Sequence, residues 1–271
     1  MKSHGKITVP AIIAMKREKR KIVALTAYDA TFASLEDEAG VDLILVGDSA
    51  GMVIAGGTDT LAITLDEMIF FTRYVRRGVK KALLVTDLPF GSFQVSPQEA
   101  IHSAIRAMKE GGAEAVKIEG GAPMLETISQ MTKVGIPVLA HLGLTPQSVH
   151  IFGGYGLRGK KNDEAKRILD DAVALQEAGA FAIVLEKIPM QLAAEVTKSL
   201  EIPTIGIASG PECDGQILVS YDMLGLGSKY LNFKFVRRYM EGGELISDAV
   251  KRYAEDVRDG KFPTEGESWS S

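Results

Sequence analysis

Glu38-Ala39-Gly40-Val41-Asp42-Leu43-Ile44-Leu45-Val46-Gly47-Asp48 condenses one repeat of the fold. A helix ends at a glycine, the residue that best tolerates a left-handed C-cap. A short, nearly all-apolar, β-rich run follows and stops at an acid. The junction recurs in Glu110-Gly111-Gly112-Ala113-Glu114-Ala115-Val116-Lys117-Ile118-Glu119, and again from Glu177-Ala178-Gly179-Ala180 through Phe181-Ala182-Ile183-Val184-Leu185-Glu186. Uninterrupted apolar runs of this kind suit parallel strands buried on both faces.

Outward from these junctions, Lys21 to Ala27, Ala82 to Thr86, Pro137 to Leu142 and Pro203 to Ile207 read as further strands, with a weaker eighth around Met223 to Leu226. Helix starts lie between them. Thr64-Leu65-Asp66-Glu67 is a capping box, Ser96-Pro97-Gln98-Glu99 places proline at the first helical position, and Asn162-Asp163-Glu164 opens a helix through Leu175. About eight strand–helix units in a chain of 271 residues favour a closed (β/α)8 barrel over an open doubly wound sheet. An extra N-terminal helix (about 1–20), a helix from Gly242 to Val257 and a polar tail (about 260–271) complete one expected domain, 1–271.

Composition narrows the function classes. Apolar residues make up 46% and charged residues 24%, enough for a large core and against disorder. With a net charge of −4 and a pI near 5.7, no basic face for nucleic acid is implied. The lone Cys213 allows no intrachain disulfide and fits a reducing compartment. Residues 1–10 carry Lys2, His4 and Lys6 with no apolar signal region, and runs such as Val41 to Val46 are too short to span a bilayer. A soluble, cytoplasmic protein is expected.

In a barrel of this type the loops after the strands form the active-site face, so acids at strand ends converge on one mouth. Asp48, Asp87, Glu119 and Glu186 all close strands. Each alone could cap a helix or pair with a cation. Together, buried carboxylates need a cation or shared protons, and Asp48, Asp87 and Glu119 offer the oxygen ligands Mg²⁺ prefers. Lys117, two residues before Glu119, points to the same face of its strand. It suits an anionic substrate or an enolate, or a structural ion pair. Its acidic neighbours would keep the amine protonated and a poor nucleophile for a Schiff base. His141 sits on the same mouth as a candidate supporting residue, although a lone histidine is more often a structural hydrogen-bonding group. His4, His102 and His150 receive no role.

Gly153-Gly154-Tyr155-Gly156-Leu157-Arg158-Gly159-Lys160 lacks dinucleotide-binding spacing and reads as a loop over the mouth, a candidate lid. Gly206-Ile207-Ala208-Ser209-Gly210-Pro211 occupies a place where barrels often bind phosphate. Without a second phosphate-binding feature it reads as a tight turn that lets substrate approach.

The motifs Thr26-Ala27-Tyr28-Asp29, Val46-Gly47-Asp48-Ser49-Ala50-Gly51-Met52, Thr64-Leu65-Asp66-Glu67-Met68 and Asp87-Leu88-Pro89-Phe90-Gly91-Ser92 follow one another in order. So do Val116-Lys117-Ile118-Glu119-Gly120-Gly121, His141-Leu142-Gly143-Leu144-Thr145-Pro146-Gln147, Gly153-Gly154-Tyr155 and Cys213-Asp214-Gly215-Gln216. Over nearly its whole length the chain resembles the ketopantoate (3-methyl-2-oxobutanoate) hydroxymethyltransferase family. That resemblance implies a barrel of the phosphoenolpyruvate/pyruvate type, a homodecamer, and one Mg²⁺ per subunit. The implied reaction moves a hydroxymethyl group from 5,10-methylenetetrahydrofolate, a cosubstrate, to 3-methyl-2-oxobutanoate through a Mg-stabilised enolate. Its product is 2-dehydropantoate, for pantothenate and coenzyme A biosynthesis. By position Asp48, Asp87 and Glu119 match the metal-binding acids, with Glu119 acting through water. Asp48, Ser49, Asp87 and Lys117 match the ketoacid-binding set, and Glu186 matches the proton acceptor. The expected partners are a small 2-oxo acid and a folate, with neither nucleic acid nor membrane.

The chain departs from the family pattern at Ala208, where glycine is usual, at Ala50 for leucine, Phe71 for histidine and Ala62 for proline, and at Asn232 near a usual proline. None of these removes an acid of the mouth. The alternative enzyme reading is a Mg-dependent 2-oxo acid lyase or mutase on the same scaffold, which normally carries a cysteine-bearing lid motif; here the only cysteine is Cys213. A non-catalytic barrel is the third reading, but it would have no use for the acids beside Lys117.

Overall fold

The computed structural model describes residues 5–227 and 233–270; His4 and Asn232 lie outside them. The chain divides into two compact units, Met1–Val219 and Ser220–Ser271.

The first unit is a closed, all-parallel barrel in the order β1 to β8. Its strands are β1 (Ile22–Thr26), β2 (Leu43–Val46), β3 (Leu83–Asp87), β4 (Ala115–Glu119), β5 (Val138–Gly143), β6 (Ala182–Glu186), β7 (Thr204–Ile207) and β8 (Gly215–Leu218). Seven lie where the sequence predicts them. The eighth expectation is corrected: Ser220–Met223 is a short helix, and the closing strand is Gly215–Leu218, which pairs with both β1 and β7. Gly215 and Gln216 carry no apolar alternation, so this strand is specified by its neighbours rather than by its own pattern. Barrel closure overrules the open-sheet alternative.

Local signals explain the helices. Gly40, Gly112 and Gly179 all adopt positive φ, at 91°, 84° and 100°, and so reverse the chain into β2, β4 and β6. Thr64 and Glu67 close the capping box of helix Leu65–Gly78, and Ser96 caps Pro97–Arg106 through the Glu99 N–H.

Strand parity then sorts side chains into two environments. One set faces the surrounding helices: Val116, Ile118, Ala140, Ile183 and Leu185 pack with Ile128, Met131, Ala172, Leu175 and Val196. The other fills the lumen: Leu43, Leu83, Val85, Ala115, Leu139, Ala182, Val184 and Ile205 cluster with Ile12 and Met15 of the N-terminal helix Val9–Arg17. Asp87, Lys117, Glu119, His141 and Glu186 continue this lumen-facing parity towards the strand ends. The hydrophobic plug and the polar site are therefore consecutive layers of one interior.

The second unit contains helix Gly242–Arg258. Its side chains Leu245, Ile246, Val250, Tyr253 and Val257 recur at helical spacing along one side, and all are exposed. Tyr253 also packs edge-on to Phe262, with ring centroids 5.5 Å apart.

Candidate active site

Every acid singled out from the sequence reaches the mouth. Pairing places Asp87 beside Lys117 and Glu119 beside His141, while Glu186 lies beside Gly143. Asp48 follows β2 after Gly47, and its N–H donates to Asp87 Oδ2 at 3.2 Å. Gly47 leaves room for this pair: a Cβ there would lie 2.7 Å from Ser49 Oγ and push that hydroxyl aside. Asp48, Asp87, Lys117, Glu119 and His141 are all buried. The Glu186 side chain is more open, at 19% exposure.

Lys117 Nζ donates to Asp87 Oδ1 and stands 3.6 Å from Glu119 Oε1. His141 lies between two acids, with Nδ1 3.4 Å from Glu119 Oε1 and Nε2 3.3 Å from Glu186 Oε2. Neither imidazole nitrogen, nor Glu119 Oε1, completes a hydrogen bond of good geometry. Ser49 Oγ and the Tyr28 hydroxyl hydrogen bond at 2.8 Å.

The charges of this cluster do not balance within the protein. Burial, followed by the charges of Asp87 and Glu119, pushes the Asp48 carboxyl well above the usual carboxylate range. Burial also raises Asp87, although Lys117 opposes it. At Glu119 burial is outweighed by Lys117, His141 and the Gln147 N–H, which hold that carboxyl low. Burial disfavours the Lys117 ammonium, yet Asp87, Glu119 and Asp48 more than compensate and hold it charged. His141 is opposed by burial and by Lys117, but Glu119 and Glu186 lift it to about 9.

Among the described residues no three His, Cys, Asp or Glu side chains form a ready-made metal cluster. Mg²⁺ does not need one: it is commonly held by one or two carboxylates and keeps several waters. Asp48 and Asp87 are hard oxygen donors joined by a hydrogen bond, and Glu119 Oε1 is buried without one. An unmet need for positive charge and an orphaned carboxylate oxygen fit a divalent cation at this place.

Two neighbours were not assigned roles from the sequence. Tyr28 orients Ser49, and Gln147, buried at 5% exposure, donates to Asp48 and Glu119. Both lie inside the quoted motifs, but an uncharged side chain gives no electrostatic signal of its own. The departures are mostly peripheral: Phe71 lies on helix Leu65–Gly78 against Phe70, Ala62 is exposed, and Ala50 is fully buried. Ala208 adopts φ 55°, the left-handed region where glycine is at ease.

Loop 153–160 is tied to the end of β6. Lys187 Nζ donates to the Tyr155 carbonyl at 2.5 Å, and the Arg158 N–H donates to the Lys187 carbonyl at 3.0 Å. Arg158 in turn stacks over Phe152, 3.9 Å from the ring centroid, and pairs with Glu164. Among the described residues no helix is long and apolar enough to cross a membrane.

A sequence profile of ketopantoate hydroxymethyltransferase matches residues 6–265. The 3-methyl-2-oxobutanoate hydroxymethyltransferase of Pelobacter propionicus is 56% identical, covering 98% of both chains. The protein of the same name from Geobacter sulfurreducens is 54% identical over 97% of this chain and 98% of its own. A phosphonopyruvate hydrolase solved with oxalate and Mg²⁺ superposes with a TM-score of 0.62 at 15% identity, covering 96% of this chain and 92% of its own. A 2,3-dimethylmalate lyase of the PEP mutase/isocitrate lyase superfamily gives 0.58, also at 15% identity, over 91% and 98%. Likeness at that identity speaks for the barrel alone, so the lyase or mutase alternative is not favoured.

Proposed function

The chain belongs to the ketopantoate hydroxymethyltransferase family, and from that premise we propose that it forms 2-dehydropantoate. The one-carbon unit comes from 5,10-methylenetetrahydrofolate and the acceptor is 3-methyl-2-oxobutanoate. The observation that carries this reading is the buried array of Asp48, Asp87, Lys117, Glu119 and His141, with the more open Glu186 at its rim.

Asp48 and Asp87 would hold one Mg²⁺, with Glu119 reaching it through water. When bound, the ion supplies Lewis acidity at a keto oxygen. The protein's own groups do the rest. Lys117, held charged by three carboxylates, neutralises part of the substrate's negative charge. Ser49, oriented by Tyr28, offers a hydroxyl to the oxo acid. Glu186 accepts the C3 proton, which frees that carbon to bond to the folate-borne methylene. The new C–C bond replaces one of the methylene's C–N bonds and a hydroxyl from water replaces the other, so tetrahydrofolate leaves with both nitrogens protonated. The imidazole of His141 lies between Glu186 and Glu119, 3.3 Å from the Glu186 carboxylate, as a supporting group beside the base. No oxidant or reductant is needed, because the overall reaction consumes one water and the gain at the transferred carbon is matched by the loss at C3.

The exposed apolar side of helix Gly242–Arg258 supports a homo-oligomer, the decamer that the resemblance implies. The free thiol of Cys213 fits a cytoplasmic setting.

The test is Mg²⁺-dependent exchange of the C3 proton of 3-methyl-2-oxobutanoate in D₂O, followed by product formation when the folate is added. Glu186→Gln is expected to abolish exchange and still bind the oxo acid, whereas Asp48→Ala loses metal-dependent binding. A wild-type protein that neither exchanges the proton nor makes 2-dehydropantoate would overturn the reading.

A further inference from the structure

Gln147 holds two of the acids at once. Its side-chain Nε2 donates to Asp48 Oδ2 at 2.9 Å and to the Leu88 carbonyl at 3.0 Å. Its backbone N–H donates to Glu119 Oε2 at 3.0 Å. One residue thus engages one oxygen of a carboxylate after β2 and one oxygen of a carboxylate at the end of β4. The amide works this way in only one of its two orientations, since the Leu88 carbonyl accepts and never donates.

The same orientation is supported from outside the site. Gln147 Oε1 accepts from Gln94 Nε2 at 3.0 Å. Gln94 is oriented in turn, because its Oε1 accepts the Gly91 N–H at 2.8 Å, and a backbone N–H can only donate. Hydrogen-bond direction therefore runs one way, from the Gly91 N–H through Gln94 and Gln147 to Asp48. Gln94 lies on the exposed loop after β3, yet its donor joins the Leu88 carbonyl in fixing which end of the Gln147 amide faces a buried acid.

We propose that Gln147, with its orientation reinforced by Gln94, is a positioning residue that pre-orients Asp48 and Glu119 for a divalent cation. This rests on the metal reading given above. Partners of this kind typically contribute about 10- to 100-fold to metal affinity. Gln147→Leu removes the donor to Asp48. Gln94→Glu can still accept the Gly91 N–H but has no donor for Gln147 Oε1. The Gln147 amide then either leaves its oxygen unpaired or turns it towards Asp48 and Leu88 O. Gln94→Lys keeps a donor for Gln147 Oε1 and so keeps the orientation.

The sign of the effect separates this relay from simple charge. Acting through space, a new carboxylate at position 94 would strengthen cation binding and a new ammonium would weaken it. Acting through the relay, the order reverses.

The experiment is Mn²⁺ binding to the full-length protein, measured from free Mn²⁺ by electron paramagnetic resonance, with thermal melts to verify folding. The expected result is a 10- to 100-fold weaker Kd for Gln147→Leu, a several-fold weaker Kd for Gln94→Glu, and a Kd near wild type for Gln94→Lys. Tighter binding by Gln94→Glu together with weaker binding by Gln94→Lys would overturn the relay, as would wild-type affinity in all three variants. Loss in Gln147→Leu with Gln94→Glu unchanged would overturn the part assigned to Gln94. A wild-type protein with no saturable Mn²⁺ site would overturn the metal reading itself, and the proposal with it.

Discussion

His141 Nε2 stands 3.3 Å from Glu186 Oε2, and the opposite ring nitrogen stands 3.4 Å from Glu119 Oε1. One imidazole therefore connects the proposed base to the metal-side acids. Burial and Lys117 oppose its positive charge, yet the two carboxylates prevail and lift it to about 9 from an ordinary 6.5. The folded value lies above the unfolded one, so the resulting stability is full below about pH 6.5 and is lost as pH rises through about 9. In metal-free protein, His141→Gln should cost on the order of 3 kcal/mol at pH 6 and much less at pH 10. Urea denaturation at both values checks this; a loss that does not vary with pH would rule out the imidazolium.

Glu36 is expected to make the protein less stable as pH rises. It lies on helix Ala30–Ala39 at 7% exposure, and neither of its carboxylate oxygens has a hydrogen-bond partner. Burial, and secondarily Asp29, push it up from 4.5 to about 8. Between those values the folded state binds more proton than the unfolded chain, so stability is full below about pH 4.5 and declines towards pH 8. Glu36→Gln keeps the shape and removes the titration. It should gain on the order of 3 kcal/mol over wild type at pH 7 and little at pH 4.5. Parallel stability–pH curves for the two proteins would contradict this account.

Ala208 carries backbone strain at φ 55°. A left-handed non-glycine residue costs roughly 1–2 kcal/mol, while glycine adds unfolded-state entropy of roughly 0.4–1 kcal/mol. The balance favours Ala208→Gly by roughly 0.5–1 kcal/mol in chemical denaturation. A destabilised variant would mean that the methyl group makes packing contacts worth more than the strain.

Lys187, itself left-handed at φ 49°, clamps loop 153–160 beside Glu186. Burial first, then the charges of Asp59, Asp48 and Glu186, raise the Tyr155 phenol, which places this loop within reach of the mouth's field. Lys187→Ala removes one solvent-accessible, charge-assisted hydrogen bond. Amide exchange over residues 155–160 should accelerate about three- to tenfold, and KM for the oxo acid should rise more than kcat falls. Unchanged exchange would show that the loop is held by its other contacts.

Much of the barrel was legible because a fully buried parallel strand must be apolar on both faces and needs a chain reversal before it. Gly40, Gly112 and Gly179 mark those reversals in the sequence, and the acids after them mark the mouth. Gly215–Leu218 was not legible: it is a strand because β1 and β7 leave unpaired backbone groups on either side of it, which no local pattern records. The same holds within the site. Lys117 and Glu119 declare themselves by charge and two-residue spacing on one strand, whereas Gln147 and Gln94 gain their meaning only from what they touch.

The sequence by itself determined a barrel of parallel strands, its family, and the acids that close the strands, because hydrophobic periodicity and charge are written residue by residue. Only the tertiary structure decided how those acids divide their partners. Lys117 bonds Asp87, His141 lies between Glu119 and Glu186, and Gln147 holds Asp48 and Glu119. These pairings depend on strand register and on the direction of individual hydrogen bonds, which exist only once the barrel has closed.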